Sequence, residues 1–350
     1  MRFSIFSTRA TQLVALVVLA SICHFSYADS SYDAEGQRRA QSAGALLLGK
    51  PGPAAVLKTI DGQEIDLSTL YGKKPIYLKF WATWCVPCRQ QMPAFEKTQQ
   101  TLGDKIQVIA VNTGFSDDKE SVIAYRKEHG LSMPIAIDDG SLAADLNLRV
   151  TPQHVLINRS GHISYVGHLD DQQLHDALQK LLLPETETAA PPRDEKSAAE
   201  ARFAVGDQVA GLKATTMDGA NVDLAAAATG KPRALVFFAP WCEWYLEESR
   251  PQTSKACVRV RKEVDHLLTQ GDVEWLGISS GLWATQDDLQ DYLNTSKTKL
   301  PLALDANDEL FRAFGIREIP SVVLLDANGR VNKILGPQDA QLSSAVQALR

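Results

Sequence analysis

Phe80-Trp81-Ala82-Thr83-Trp84-Cys85-Val86-Pro87-Cys88 is the stretch whose reading decides the fold. The apolar run Ile76 to Trp81 leads into it and predicts a buried strand. Pro87 suits the first turn of a helix, where its missing N–H is no loss, so a helix opens at the cysteines. A thiol at a helix N-terminus ionises well below the free value of about 8.5, which makes Cys85 the nucleophile of a redox pair. Cys88, one turn on and deeper, is the thiol that resolves a mixed disulfide. A static disulfide is the plain alternative. A zinc site needs about four ligands and one CxxC supplies two. Covalent haem attachment wants His directly after the second Cys, where Arg89 stands.

The surrounding chain repeats itself. Asp61-Gly62-Gln63-Glu64-Ile65-Asp66-Leu67 recurs as Asp218-Gly219-Ala220-Asn221-Val222-Asp223-Leu224, and the same offset lays Trp84-Cys85 on Trp241-Cys242. Further on the offset is larger: Pro134 to Asp138 matches Pro301 to Asp305, and Pro152 matches Pro320. Two copies of one domain are present, the second longer by about ten residues just after its cysteine. Each copy reads as two short strands around a polar turn, a buried strand, the cysteine motif and its helix. A second strand–helix pair follows, then a Pro-containing turn, a hairpin and a terminal helix. The fold class is therefore α/β: two tandem domains, each a mixed central sheet flanked by helices.

Ahead of the repeats, Arg2 and Arg9 precede an apolar run from Leu13 to Ile22, and Ser26-Tyr27-Ala28 offers small residues for cleavage. Residues 1–28 thus read as a signal peptide, its apolar core about half of what a membrane-spanning helix needs. An uncleaved N-terminal anchor is the alternative. A lipoprotein reading at Cys23 fails on Ile22, too large for the position before such a cysteine. Export places the other four cysteines in an oxidising compartment. Residues 29–44 read as a flexible leader, 45–183 as the first domain, 184–203 as a Pro-, Ala- and charge-rich linker, and 204–350 as the second domain. With 350 residues, 36 Lys+Arg against 42 Asp+Glu and 45% hydrophobic residues, the composition is that of an ordinary folded protein. Nothing in it suggests a nucleic-acid partner, which would want a basic stripe. No metal-ligand spacing or cofactor motif stands out.

The second copy is a different object. In Trp241-Cys242-Glu243-Trp244-Tyr245 the resolving cysteine has become Tyr245, so CxxC cycling is impossible there. Pro251 should break the helix opened at Cys242 and let the chain fold back. A Cys242–Cys257 disulfide is then possible, whereas one unbroken helix would hold the two about 22 Å apart. Two separate thiols, with Cys257 packed in a core, is the other reading. His154 could tune the sulfurs or simply pack, and Trp283 and Tyr292 read as packing or surface residues.

The segment Phe80 to Cys88 with Met92-Pro93, the upstream Asp61-Gly62 turn and Thr151-Pro152 together resemble the thioredoxin superfamily, specifically its exported TlpA/ResA-like thiol–disulfide oxidoreductases. The resemblance covers residues 45–183 well and 204–350 more loosely. It implies a cis Pro152 packed against the sulfurs and Thr151 presenting backbone to a substrate, with Trp84, Pro87 and Lys79 as active-site support. Lys79 stands where thioredoxins bury an acid, and Gln91 where ResA-like proteins carry a carboxylate. The implied activity is reduction of protein disulfides in the bacterial periplasm, soluble after signal-peptide cleavage, by Cys85 and Cys88. The implied partners are protein disulfide or dithiol substrates and a membrane-bound electron donor. The second domain would bind or scaffold. The alternatives are a binding protein with a structural Cys85–Cys88 disulfide, and a two-domain relay through Cys242 and Cys257.

Overall fold

A computed structural model of the chain describes residues 33–184, 203–225 and 230–349. The signal peptide expected at 1–28, and all of the expected linker but its two end residues, lie outside them.

The first unit runs β1 (Val56–Lys58), β2 (Glu64–Asp66), β3 (Ile76–Trp81), α2 (Val86–Leu102), β4 (Gln107–Asn112), α3 (Lys119–His129), β5 (Ile135–Ile137), α4 (Ser141–Asp145), β6 (Gln153–Ile157), β7 (Ile163–Gly167) and α5 (Gln172–Leu181), preceded by α1 over residues 33–45. β1 and β2 form an antiparallel hairpin, and the main sheet has the order β5-β4-β3-β6-β7. β3, β4 and β5 are parallel, whereas β6 and β7 run antiparallel. All six residues of β3 are buried, as expected for a central strand covered by helices on both faces. α5 presents Leu174, Leu178 and Leu181 to the core along one helical stripe.

The second unit repeats this plan: β8 (Lys213–Thr215), β9 (Asn221–Asp223), β10 (Arg233–Phe238), α6 (Cys242–Ser249), α7 (Pro251–Leu268), β11 (Glu274–Ser280), α8 (Gln286–Ser296), β12 (Leu302–Asp305), α9 (Glu309–Ala313), β13 (Ser321–Leu325), β14 (Val331–Leu335) and α10 (Leu342–Gln347). Its sheet order, β12-β11-β10-β13-β14, is that of the first unit strand for strand. Equivalent details recur as well. Buried Asp138 accepts the Leu142 and Ala143 amides at the start of α4, and buried Asp305 accepts the Leu310 and Phe311 amides at the start of α9. Thr151–Pro152 and Ile319–Pro320 are both cis. The added residues lengthen the cysteine helix, which breaks at Arg250 (φ −143°, ψ 63°) and restarts with Pro251 in its first turn.

Residues 33–44 are a correction to the expected mobile leader: they belong to α1, which packs along the first unit. Ala40 and Ala43 are buried in it. A Cβ on Gly44 would lie 2.4 Å from the Val166 Cβ, and one on Gly36 would lie 2.5 Å from the His168 ring. The helix can sit this close to β7 only because these positions lack side chains. Gln37 Oε1 accepts the amides of His168 and Leu169, at 2.7 and 3.1 Å, and Asn147 donates to the Ala43 carbonyl. Arg39 reaches the other way, to Asp288 at the start of α8, 2.9 Å away.

The two units share a core. One buried cluster runs without interruption from Trp81, Trp84 and Phe115 in the first to Phe237, Cys242 and Phe311 in the second.

Candidate functional site

β3 delivers the chain to the end of the sheet where α2 begins. Cys85 is the N-cap of α2, and Pro87 occupies its first turn. The Cys88 amide donates to Cys85 Sγ at 3.3 Å, the kind of backbone contact that stabilises a thiolate at a helix N-terminus. Cys85 and Cys88 are joined in a disulfide, their Cα atoms 5.2 Å apart. β6 starts directly after Pro152 and pairs with β3 so that Gln153 faces Phe80. The cis-Pro turn therefore lies at the same end of the sheet as the Cys85 turn. Thr83 and Trp84 are held from below: Thr83 donates both its amide and its hydroxyl to Asp117, and the Trp84 indole donates to the Phe115 carbonyl.

A hydrogen-bonded chain runs beneath this end of the sheet. The Tyr77 hydroxyl lies 2.8 Å from His154 Nδ1, and His154 Nε2 lies 2.9 Å from Gln91 Oε1. Gln91 in turn donates to the His168 carbonyl, and His168 Nδ1 lies 2.7 Å from the Pro152 carbonyl. Gln91 Oε1 can only accept, so His154 carries its proton on Nε2 and takes the Tyr77 hydroxyl on Nδ1. Burial pushes both imidazoles below the usual histidine value, His154 the further, with Lys79 and His168 adding to its shift. Neutral rings are what such a chain needs. His154 thus packs within the core and is linked through Gln91 and His168 to the Pro152 carbonyl.

Lys79 is fully buried on β3, opposite His154 in the β3–β6 register. Its Nζ has no hydrogen-bond partner among the described residues and sits 5.3 Å from the centre of the Phe95 ring. Burial pushes its pKa down to about 7, against a weaker upward pull from Asp170. The side chain does not reach solvent.

The second unit's cysteine helix carries no CxxC pair, Tyr245 standing where the second cysteine would be. Cys242 is bonded instead to Cys257 on α7, Cα atoms 6.3 Å apart, the turn at Arg250 bringing the two helices side by side. Among the described residues no three His, Cys, Asp or Glu side chains cluster as metal ligands.

The sequence reading missed where the second unit sits. Its degenerate cysteine face lies directly on the redox turn of the first. Trp241 stacks on Trp84, ring centres 5.7 Å apart, and Trp283 meets both Trp84 and Phe115 edge-on or tilted, at 5.3 and 4.8 Å. The Tyr245 hydroxyl accepts the Val86 amide at 3.2 Å, and the Trp283 indole donates to the Thr151 hydroxyl at 3.2 Å. Cys85 is left 1% exposed and Cys88 0%, so the expected contrast between an open first and a buried second cysteine is absent. The one legible trace was the repeat itself, which aligns Trp84 with Trp241. A cleft of about 540 Å³ opens alongside, between α1, Val150, Trp241, Trp244 and α8, and neither Cys85 nor Cys88 lines it.

The Redoxin family matches twice, over residues 47–181 and 197–349. The chain is 38% identical over 133 residues to the thioredoxin-like protein YneN of Bacillus subtilis, spanning 37% of this chain and 78% of that one. It is 34% identical over 134 residues to the thiol-disulfide oxidoreductase ResA of Halalkalibacterium halodurans, covering 37% and 74% of the two chains. It is 29% identical over 179 residues to the thiol:disulfide interchange protein DsbE of Escherichia coli K12, covering 49% and 94%. Among solved structures, a putative DsbE from Chlorobium tepidum matches at 26% identity with a TM-score of 0.36, covering 39% of this chain and 98% of that one. With one family matched across both repeats, the chain belongs to the Redoxin family, as a TlpA/ResA-like thiol–disulfide oxidoreductase of the thioredoxin superfamily.

Proposed function

We propose that the protein reduces disulfide bonds in exported proteins, with Cys85 as nucleophile and Cys88 as resolving thiol. The observation that carries this reading is Cys85 at the N-cap of α2, its sulfur accepting the Cys88 amide, with the partner cysteine one turn on. In the reduced protein, Cys85 thiolate attacks one sulfur of a substrate disulfide. A mixed disulfide forms and one substrate thiolate leaves. Cys88, once deprotonated, attacks Cys85 Sγ; the Cys85–Cys88 disulfide forms and the second substrate thiolate leaves. Two electrons pass to the substrate, so a dithiol donor must restore the protein. A membrane-bound donor would suit an exported reductant. The expected signal peptide and the family membership support export. Among the described residues no helix is long and apolar enough to cross a membrane.

Pro152 and Thr151 would hold the substrate backbone beside the sulfurs, and Trp84 and Pro87 would shape the turn. A charged Lys79 would favour the thiolates, and Gln91 offers no carboxylate for proton transfer to or from Cys88. The second unit would serve as a scaffold, its Cys242–Cys257 disulfide bracing α6 against α7. The test is a full-length Cys88→Ser protein incubated with a disulfide-bonded protein such as oxidised insulin. A mixed disulfide that maps to Cys85 supports the reading. Absence of any adduct, after an incubation long enough for N-ethylmaleimide to modify Cys85 fully, contradicts it.

A further inference from the structure

We propose that the second unit is the resident occupant of the first unit's redox face, and that a protein substrate reaches Cys85 only when this intramolecular partner lifts away. The proposal rests on the redox reading for the meaning of access, but its physical content is the cover itself.

Three kinds of contact carry it. The first is steric: attack by or on Cys85 needs a free line to its sulfur, and at 1% exposure beneath the second unit there is none. The second is chemical mimicry. The Val86 amide and the Thr151 hydroxyl, polar groups of the two turns that a substrate chain would meet, are already engaged by the Tyr245 hydroxyl and the Trp283 indole. The third is a clamp built of ions around the aromatic centre. Arg250, at the break between α6 and α7, donates to Asp117 at 2.6 Å and to Thr83 Oγ1, the residues that hold the Trp84–Cys85 turn. The Asp117 carboxylate is wholly buried, so this pair is strongly coupled to the closed arrangement.

A second part of the clamp follows the repeat. Arg149 and Arg317 occupy equivalent places just before the two cis-prolines. Arg149 crosses to Asn307 in the turn before α9. Arg317 crosses to the carbonyls of Thr113, Asp138 and Asp139, around the turn before α4, and its own carbonyl accepts the Ser116 amide. With Trp84 on Trp241 at the centre, the two units meet through corresponding ends of their sheets, although the contacts of Arg250 and Tyr245 have no counterpart from the first unit. Here one copy has lost its resolving cysteine, and the position holds Tyr245, whose hydroxyl caps Val86 at the N-terminus of α2. The surface made by Trp241, Tyr245 and Trp283 is thus an interaction surface whose partner is a thioredoxin-type redox face, the chain's own.

The test uses the full-length Cys88→Ser protein, where Cys85 is a free thiol whether or not the native pair is redox-active. Modification of Cys85 by N-ethylmaleimide is followed by mass spectrometry. For the closed protein Cys85 reacts at least tenfold more slowly than in a denatured control, whether or not the rate levels off with rising reagent, and Arg250→Glu with Arg317→Glu raises it at least tenfold. A rate that matches that of the denatured control overturns the proposal. The ratio to the denatured control decides the matter without the double variant, should that variant fail to fold. Failure of the redox reading has a different signature: Cys85–Cys88 in the native chain then resists dithiothreitol, whatever the alkylation rate.

Discussion

Trp84 and Trp241, equivalent residues of the two repeats, stack on one another at 5.7 Å and 26° between ring planes. The contact fixes the relation of the two units, because each tryptophan immediately precedes its copy's first cysteine. Trp84 belongs to the buried cluster that spans both units, and Trp241 packs against it. Units sharing an apolar interface of this kind unfold together. A single calorimetric transition is expected for the native chain. Trp241→Ala combined with Trp283→Ala should split it into two, the lower belonging to one unit alone; two transitions already present in the native protein would contradict the shared core.

The Cys242–Cys257 bond closes a loop of fifteen residues. Such a bridge stabilises by about 3 kcal/mol, mostly by restricting the unfolded chain. Replacing both cysteines by Ser should therefore lower the denaturant midpoint of the protein while leaving disulfide turnover by Cys85 and Cys88 unchanged. A loss of turnover greater than the loss of folded protein would instead favour an electron relay between the units.

Lys79 carries a stability cost that depends on pH. Its folded pKa is depressed to about 7 by burial, so between pH 7 and 10.5 the unfolded chain binds the extra proton and stability rises with pH. Below pH 7 the ammonium is charged in both states and the full cost is present. Lys79→Met, close in length and free of charge, should be more stable than the parent by roughly 2–5 kcal/mol at pH 6. The difference should shrink steadily above pH 7. Urea melts at pH 6, 8 and 9.5 check the trend, and a difference that grows with pH would contradict it.

Gly44 tests the docking of α1. An alanine there must push the Val166 side chain from its place, since the added Cβ would fall 2.4 Å from the Val166 Cβ. Intrinsic helix propensity alone favours the alanine by roughly 0.5–1 kcal/mol. Gly44→Ala should nonetheless destabilise and speed proteolytic cleavage within residues 33–45. A more stable protein would mean that α1 does not lie against β7.

Much of the fold was legible because the signals were local. β3 and β4 appear as apolar runs, the helix start at Cys85 is marked by Pro87, and the internal repeat transfers every assignment from one unit to the other. α1 was not legible. It docks through glycines, alanines and a glutamine, so it has no large apolar stripe, and its leader-like composition suggests a mobile segment. Lys79 was ambiguous because a lysine on an apolar strand either reaches water or stays buried, and only the neighbours decide. The covering of Cys85 had no local signature at all. It depends on Tyr245, Trp283, Arg250 and Arg317 meeting residues more than 130 positions away, several of them through backbone atoms that any sequence supplies.

The central claim is that Cys85–Cys88 is a working redox pair and Cys242–Cys257 a brace. Equilibrium titration of the full-length protein against reduced and oxidised dithiothreitol, with trapped thiols mapped by mass spectrometry, tests it most directly. Cys85 and Cys88 should titrate reversibly while Cys242 and Cys257 stay bonded, at a potential near or below the −270 mV or so of thioredoxin for a reductant. A Cys85–Cys88 bond that stays closed after Cys242–Cys257 has opened would contradict the account.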